Sequence, residues 1–248
     1  MAPPDDAVTI VLAAGIGSRV AGEAPKQFLD LNGAPVLRHT LSHLIDCSRV
    51  VVVHHPEHLD RTRQIVERAA LVQPVSLTPG GATRRQSISA ALASVTDMSD
   101  DAPLVLQNAA SPNTPAWLVL QCLDALERYD VVQAFVPAVH TVFRRDGNEL
   151  METLDRKSLG YSADPTVYRL GCMRRIATVQ MADAVTGEMT LDTARSLGAV
   201  VGLLASPASN VKLTTPHDLL VLRTLTAGSV VPPPGDLRPA DVGVRSER

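Results

Sequence analysis

The stretch Val8-Thr9-Ile10-Val11-Leu12-Ala13-Ala14-Gly15-Ile16-Gly17-Ser18-Arg19, closed by Pro25-Lys26-Gln27, decides the fold. Val8, Ile10, Val11 and Leu12 form a short, nearly continuous apolar run. Such a run suits a strand covered on both faces in a parallel sheet. Ala13, Ala14, Gly15 and Gly17 then leave the backbone almost bare, so a ligand has access to its N–H groups. Arg19 and Lys26 bring two cations to the same loop. Bare amides and paired cations suit a polyphosphate. A tight strand-to-helix turn carrying two solvated basic residues accounts for the same glycines.

Two common phosphate loops do not fit. No Gly-Lys-Ser/Thr ends the stretch, and Val20 stands where the dinucleotide fingerprint has its third glycine. The 248 residues, 45% of them hydrophobic, suffice for one substantial α/β core. A formal net charge of −3, with no dense Lys/Arg stripe, argues against a nucleic-acid partner. No apolar run reaches membrane-spanning length, so no membrane partner is expected. The acidic start Met1-Ala2-Pro3-Pro4-Asp5-Asp6 does not read as a signal peptide. Cys47, Cys122 and Cys172 are widely spaced and odd in number, which suits reduced thiols in a cytoplasmic protein rather than a disulfide framework or a zinc site.

Outward from the loop, periodicity predicts a helix over Ala34 to Ile45, a strand over Val50 to Val53 and a helix from about Glu57 to Leu71. His54, His55 and His58 cluster between the last two. Without a carboxylate or cysteine at ligand spacing they read as surface histidines. A third strand, Val75 to Leu77, runs into Gly80-Gly81 and a helix capped by Thr83. That arrangement fits an anion or base-edge site and equally an ordinary capped turn. A strand over Leu104 to Leu106 leads to Gln107-Asn108-Ala109-Ala110-Ser111-Pro112, at the sheet edge where open α/β folds bind ligands. A helix over Pro115 to Arg128 and a strand over Val131 to Val136 follow. Val139 to Asp155, turning at Asp146-Gly147-Asn148, reads as a β-hairpin arm, either lid or subunit contact. Asp164-Pro165-Thr166-Val167-Tyr168 precedes a helix ending near Ala182. The late elements are a strand over Val200 to Leu204 and a helix from Pro216 to Leu225, capped by Thr215. From Gly228 the chain turns to Pro232-Pro233-Pro234-Gly235 with no apolar period, as expected of a disordered tail over 228–248.

The run from Leu12 to Arg19 followed by Pro25-Lys26-Gln27-Phe28 resembles the signature of sugar-nucleotide-type nucleotidyltransferases. Within these it is most similar to the 2-C-methyl-D-erythritol 4-phosphate cytidylyltransferase family. The likeness extends from about Val8 to Thr226. It implies a single-domain three-layer α/β/α nucleotidyltransferase fold over residues 7–227, with a mostly parallel twisted sheet and a projecting β-arm at 139–155. It also implies CTP and a small phosphorylated polyol as substrates, Mg2+ as cofactor and a homodimer clasped by the arm. Arg19, Lys26 and Lys212 (in Asn210-Val211-Lys212-Leu213-Thr214) then act on the phosphates. Ala13, Ala14, Gly15, Gly17, Gly80, Gly81, Arg84, Ser87, Asn108 and Ala109 line the nucleotide. Thr141, Arg156, Asp164 and Thr190 border the acceptor, with Arg156 facing its phosphate.

The chain departs from that pattern at the metal and acceptor positions. The family reads Asp-Ala-Ala-Arg-Pro, with the aspartate a magnesium ligand, where Asn108-Ala109-Ala110-Ser111-Pro112 stands here. An amide oxygen is a poorer magnesium ligand than a carboxylate, which leaves the ion to the triphosphate oxygens. The family's Asp-Thr is His140-Thr141, its Thr-Pro-Gln is Asp164-Pro165-Thr166, and its Thr-Asp-Asp/Glu-Ala is echoed only by Thr190-Leu191-Asp192-Thr193. The expected activity is therefore cytidylyl transfer. Two alternatives stand beside it: a transferase for another polyol phosphate or phosphonate, and a catalytically weak nucleotide-binding homologue.

Overall fold

The computed structural model of the protein describes residues 6–16, 24–182 and 190–227. Gly17, Arg19 and the tail over 228–248 lie outside the described residues. In chain order the strands are β1 (Val8–Ala13), β2 (Asp30–Leu31), β3 (Ala34–Pro35), β4 (Arg49–His54), β5 (Val75–Pro79), β6 (Pro103–Asn108), β7 (Val131–Pro137), β8 (Val142–Asp146), β9 (Glu149–Leu154), β10 (Gly160–Arg169) and β11 (Val201–Ala205). The helices are α1 (Val36–Ser42), α2 (Leu59–Ala69), α3 (Arg84–Ala93), α4 (Ala116–Ala125), α5 (Leu170–Ala182), α6 (Thr190–Ser196) and α7 (Pro216–Thr226).

Seven strands form one sheet in the order β11-β7-β10-β6-β1-β4-β5. β1 lies inside it, parallel to β4 and to β6, with Leu12 opposite both Val53 and Asn108. Alternation along these strands sends successive side chains to opposite faces. Val8, Ile10, Val51 and Val53 pack with Ile88 of α3, Met173 and Ile176 of α5 and Ala194 of α6. Val11, Ala13, Val50 and Val52 pack instead with Leu37 and Leu41 of α1 and Ile65 of α2. Leu118, Cys122 and Leu123 of α4 cover Val105, Val132 and Val167 on the same side. The result is three layers. Burying each such aliphatic side chain stabilises the fold by about 1.5–3 kcal/mol, which is why the apolar run at Val8 is so informative.

The strand that the apolar pattern does not announce is β10. It runs antiparallel between β6 and β7, placing Thr166 opposite Leu106 and opposite Gln133. Asp164-Pro165, joined by a cis peptide bond, falls where its pairing with β7 shifts register between Ser162 and Thr166. Aspartate and proline are both depleted in strands, so composition hides this element. The helix expected from Ala34 begins two residues later, because Ala34–Pro35 pairs with Asp30–Leu31 before α1 starts.

β8 and β9 form the expected hairpin, turning at Gly147 with φ +51°. It stands off the main sheet and exposes Phe143, Leu150 and Met151. The histidine cluster needs correction. His54 is 4% exposed, and its Nδ1 donates to the His55 carbonyl at 2.8 Å. It is an interior residue, not a surface one.

Candidate functional site

The C-terminal ends of β1, β5 and β6 border an open cleft of about 680 Å³. Its floor begins at the first loop. Gln27, 2% exposed, donates from Nε2 to the carbonyls of Ala13 at 2.8 Å and Gly15 at 2.9 Å. That clamp holds the start of the glycine loop against the sheet edge. A side chain on Gly15 would meet nothing within 4 Å, so the glycine keeps the cleft open rather than relieving a clash. Ala13, 2% exposed, lies under the floor.

The second wall comes from the turn after β5. A Cβ on Gly80 would sit 2.5 Å from Ala14 Cβ and 2.8 Å from Ser87 Oγ. Glycine is required there because two loops and a helix meet closer than any side chain permits. Gly81 is equally crowded, by Gln86. Thr83 caps α3: its side chain accepts from Gln86 N–H, and Gln86 Oε1 accepts from Thr83 N–H at 3.1 Å. This capping box aims the first turn of α3, with Arg84 and Ser87, into the cleft.

The third wall is the turn after β6. The Ala109 N–H donates to the Leu12 carbonyl at 3.1 Å, and Thr40 Oγ1 donates to the Ala109 carbonyl at 2.8 Å. Leu213 N–H donates to the Ala110 carbonyl at 2.8 Å, which brings the Lys212 segment alongside. Asn210, 6% exposed, anchors that segment by donating to the Asp164 carbonyl at 2.5 Å and to Ser206 Oγ at 2.9 Å.

Lys26, Arg84 and Lys212 thus share one cleft with Ala14, Gly15, Gly81, Ser87, Asn108 and Ala109, and no described lining residue carries a carboxylate. In a chain of net charge −3 this is a local concentration of positive charge. Gly80 packs directly behind the wall. Thr141 and Arg156 lie at the base of the arm, exposed, with Arg156 donating to the Val139 carbonyl at 2.8 Å. Thr190 opens α6, and none of these three lines the cleft. Asp164 does not face it either. It is 5% exposed, and its carboxylate accepts from Asn108 and Ser111. Gln27 and Asn210 are positioning residues that residue chemistry alone did not single out, although both sit inside the quoted Pro-Lys-Gln and Asn-x-Lys segments.

The donors fit a resident magnesium poorly. Asn108 Oδ1 is taken by the Arg84 guanidinium at 2.6 Å. Among the described residues no group of three or more His, Cys, Asp or Glu side chains could hold a metal ion.

A mostly parallel α/β sheet presenting bare amides, a capped helix N-terminus and three cations at one edge is the architecture of the nucleotidyltransferase class. The family model for 2-C-methyl-D-erythritol 4-phosphate cytidylyltransferase matches residues 7–226. The protein of that name from Acidobacterium capsulatum is 31% identical over 85% of this chain and 92% of its own. A bifunctional ribulose 5-phosphate reductase/CDP-ribitol pyrophosphorylase of Haemophilus influenzae is 25% identical over 86% of this chain and 47% of its own. The crystal structure of 4-diphosphocytidyl-2C-methyl-D-erythritol synthase from Anaerococcus prevotii superposes with a TM-score of 0.77 at 18% identity, covering 90% of this chain and 99% of that one. The chain belongs to the 2-C-methyl-D-erythritol 4-phosphate cytidylyltransferase family. No helix among its described residues is long and apolar enough to cross a membrane.

Proposed function

We propose that the protein transfers CMP from CTP to 2-C-methyl-D-erythritol 4-phosphate. The observation that carries this reading is the cleft lined by Lys26, Arg84 and Lys212 and by no described carboxylate. An oxygen of the acceptor phosphate attacks the α-phosphorus of CTP. The bond from that phosphorus to the oxygen bridging to the β-phosphate breaks, and pyrophosphate leaves with the electron pair. Both partners are anions, so positioning and charge neutralisation supply the rate. Lys26, with Arg19, neutralises the triphosphate. Lys212 serves the α-phosphate and the incoming oxygen. The turn at Gly80-Gly81, with Arg84 and Ser87, receives the nucleoside. Among the described residues no set of donors makes a magnesium site, and a magnesium ion carried in with the triphosphate would supply further neutralisation of the phosphate charge.

The catalytic unit is residues 7–227, working as a cytoplasmic homodimer. Its arm reaches the partner, where Thr141 and Arg156 border the acceptor. The exposed Phe143, Leu150 and Met151 on a hairpin too small to stand alone support this. A second reading has one specific observation in its favour. Ser111 and Asp164 satisfy each other where an acceptor-binding cation is expected from the family, and a related chain is named for CDP-ribitol. On that reading the acceptor is a different polyol phosphate. Pyrophosphate release from CTP across a panel of polyol phosphates tests both. Release with methylerythritol phosphate alone supports the first, release with ribitol phosphate alone supports the second, and CTP binding without release leaves a nucleotide-binding homologue.

A further inference from the structure

At the wall of the cleft, Asn108 sits between a buried carboxylate and a guanidinium. Its Nδ2 donates to Asp164 Oδ1 at 2.6 Å, and its Oδ1 accepts from Arg84 Nη1 at 2.6 Å. Its backbone N–H donates to the same Asp164 oxygen at 3.2 Å, and Ser111 Oγ donates to the other. A carboxylate only accepts and a guanidinium only donates, so a side chain bridging them must donate on one side and accept on the other. An amide does this in one orientation, which both neighbours dictate. An aspartate at 108 could not, because it would set a second carboxylate at hydrogen-bond distance from the first inside a poorly solvated site.

We infer that Asp164 is a positioning residue of the nucleotide cleft, acting through the Asn108 amide to hold the Arg84 guanidinium where the nucleotide meets it. The inference rests on the cytidylyl-transfer reading. Asp164, 56 positions from Asn108, is itself held by its backbone, since Asn210 Nδ2 donates to the Asp164 carbonyl at 2.5 Å. The relay therefore runs from the segment that carries Lys212, through Asp164 and Asn108, to the first turn of α3. Two consequences follow. The formal negative charge at the end of β6 resides at 164 instead of 108, and the two positions form one unit. Introducing Asp at 108 alone places two carboxylates together and does not improve the site.

The test is a calorimetric CTP titration of the full chain as wild type, Asp164→Asn, Arg84→Ala and the double variant. Asp164→Asn is isosteric, but its amide lets Asn108 rotate and turn a donor toward Arg84. It should weaken CTP binding about tenfold, as loss of a charge-assisted bond does. Arg84→Ala should weaken it at least as much, and the double variant should bind within twofold of Arg84→Ala, because the Asp164 carboxylate influences the nucleotide through Arg84. Asn108→Asp should weaken CTP, and adding Asp164→Asn to it should recover affinity. Additive losses, or an Asp164→Asn variant with wild-type affinity, would overturn the relay. If the wild type itself fails to bind CTP, the cytidylyl-transfer reading fails, and the relay is judged on the ligand-free protein. Asp164→Asn should then shift the Arg84 guanidinium and Asn108 side-chain amide resonances in nitrogen-edited spectra, whereas Lys212→Ala should not. Unmoved resonances would reject it.

Discussion

Lys26 Nζ donates a hydrogen bond of 3.1 Å to the carbonyl of Leu213, 187 positions away. Leu213 also donates its N–H to the Ala110 carbonyl. One residue therefore joins the first loop, the turn after β6 and the Lys212 segment. This places two lysines from opposite ends of the chain beside the same cleft.

Replacing those lysines should have unequal effects. Lys212 is exposed, so Lys212→Ala should leave the melting temperature unchanged while lowering kcat by roughly 100-fold or more, the usual cost of removing a charge that stabilises a transition state. Lys26→Ala should lower kcat similarly and also cost about 1 kcal/mol of stability through the lost bond to Leu213. Steady-state kinetics with thermal melts separates these outcomes. A rise in KM at constant kcat would show that the lysines only hold ground-state nucleotide.

Two glycines separate packing from access. Gly80→Ala drives a methyl group to within 2.5 Å of Ala14 Cβ, so it should destabilise the fold by about 1–3 kcal/mol. Gly15→Ala meets nothing within 4 Å and should melt like the wild type, yet weaken CTP by crowding the cleft floor. Equal melting temperatures for the two variants would contradict this account of the walls.

How far the sequence speaks follows from how local each feature is. The buried strand at Val8 and the caps at Thr83 and Thr215 are written in a few adjacent residues, and each appears as read: both threonines complete capping boxes. β10 is not legible. Its partners lie about the chain at β6 and β7, and Asp164-Pro165 suppresses the strand signal in its middle. Asn108, taken alone, reads as a lost metal ligand. Only the fold shows it 2.6 Å from Asp164, and the signal that could have linked them is that both positions depart from the family pattern together. His54 misled for the opposite reason, since a polar residue at a strand end reads as exposed whether or not a loop covers it.

The three thiols should be chemically quiet. Burial pushes the Cys122 thiol up to about 12 and raises those of Cys172 and Cys47 as well. The thiolate is the reactive form, so a thiol reagent at pH 8 should modify the native chain far more slowly than the denatured one. The sign for stability follows. Above the ordinary thiol value of 9.0 the unfolded chain loses the Cys122 proton while the folded chain keeps it up to about 12, so stability falls across that window. Cys122→Ala should flatten part of that fall. A fast-reacting Cys122 in the native protein would contradict the packing of α4.

The arm should make the dimer. Sedimentation of the full chain at micromolar concentration should give a dimer, and deleting the hairpin between Val142 and Leu154 should release monomers with the main sheet intact. A monomeric full-length chain would remove the partner from the acceptor site.

The central claim is that this cleft passes CMP to a polyol phosphate, and CTP labelled at its α-phosphorus tests it most directly. Incubated with the protein, magnesium and 2-C-methyl-D-erythritol 4-phosphate, the label should move into a new cytidine diphosphate ester. An equal amount of unlabelled pyrophosphate should appear, and Lys212→Ala should slow both by roughly 100-fold or more. Label that stays in CTP with every polyol phosphate offered, from a protein that binds the nucleotide, would contradict the claim.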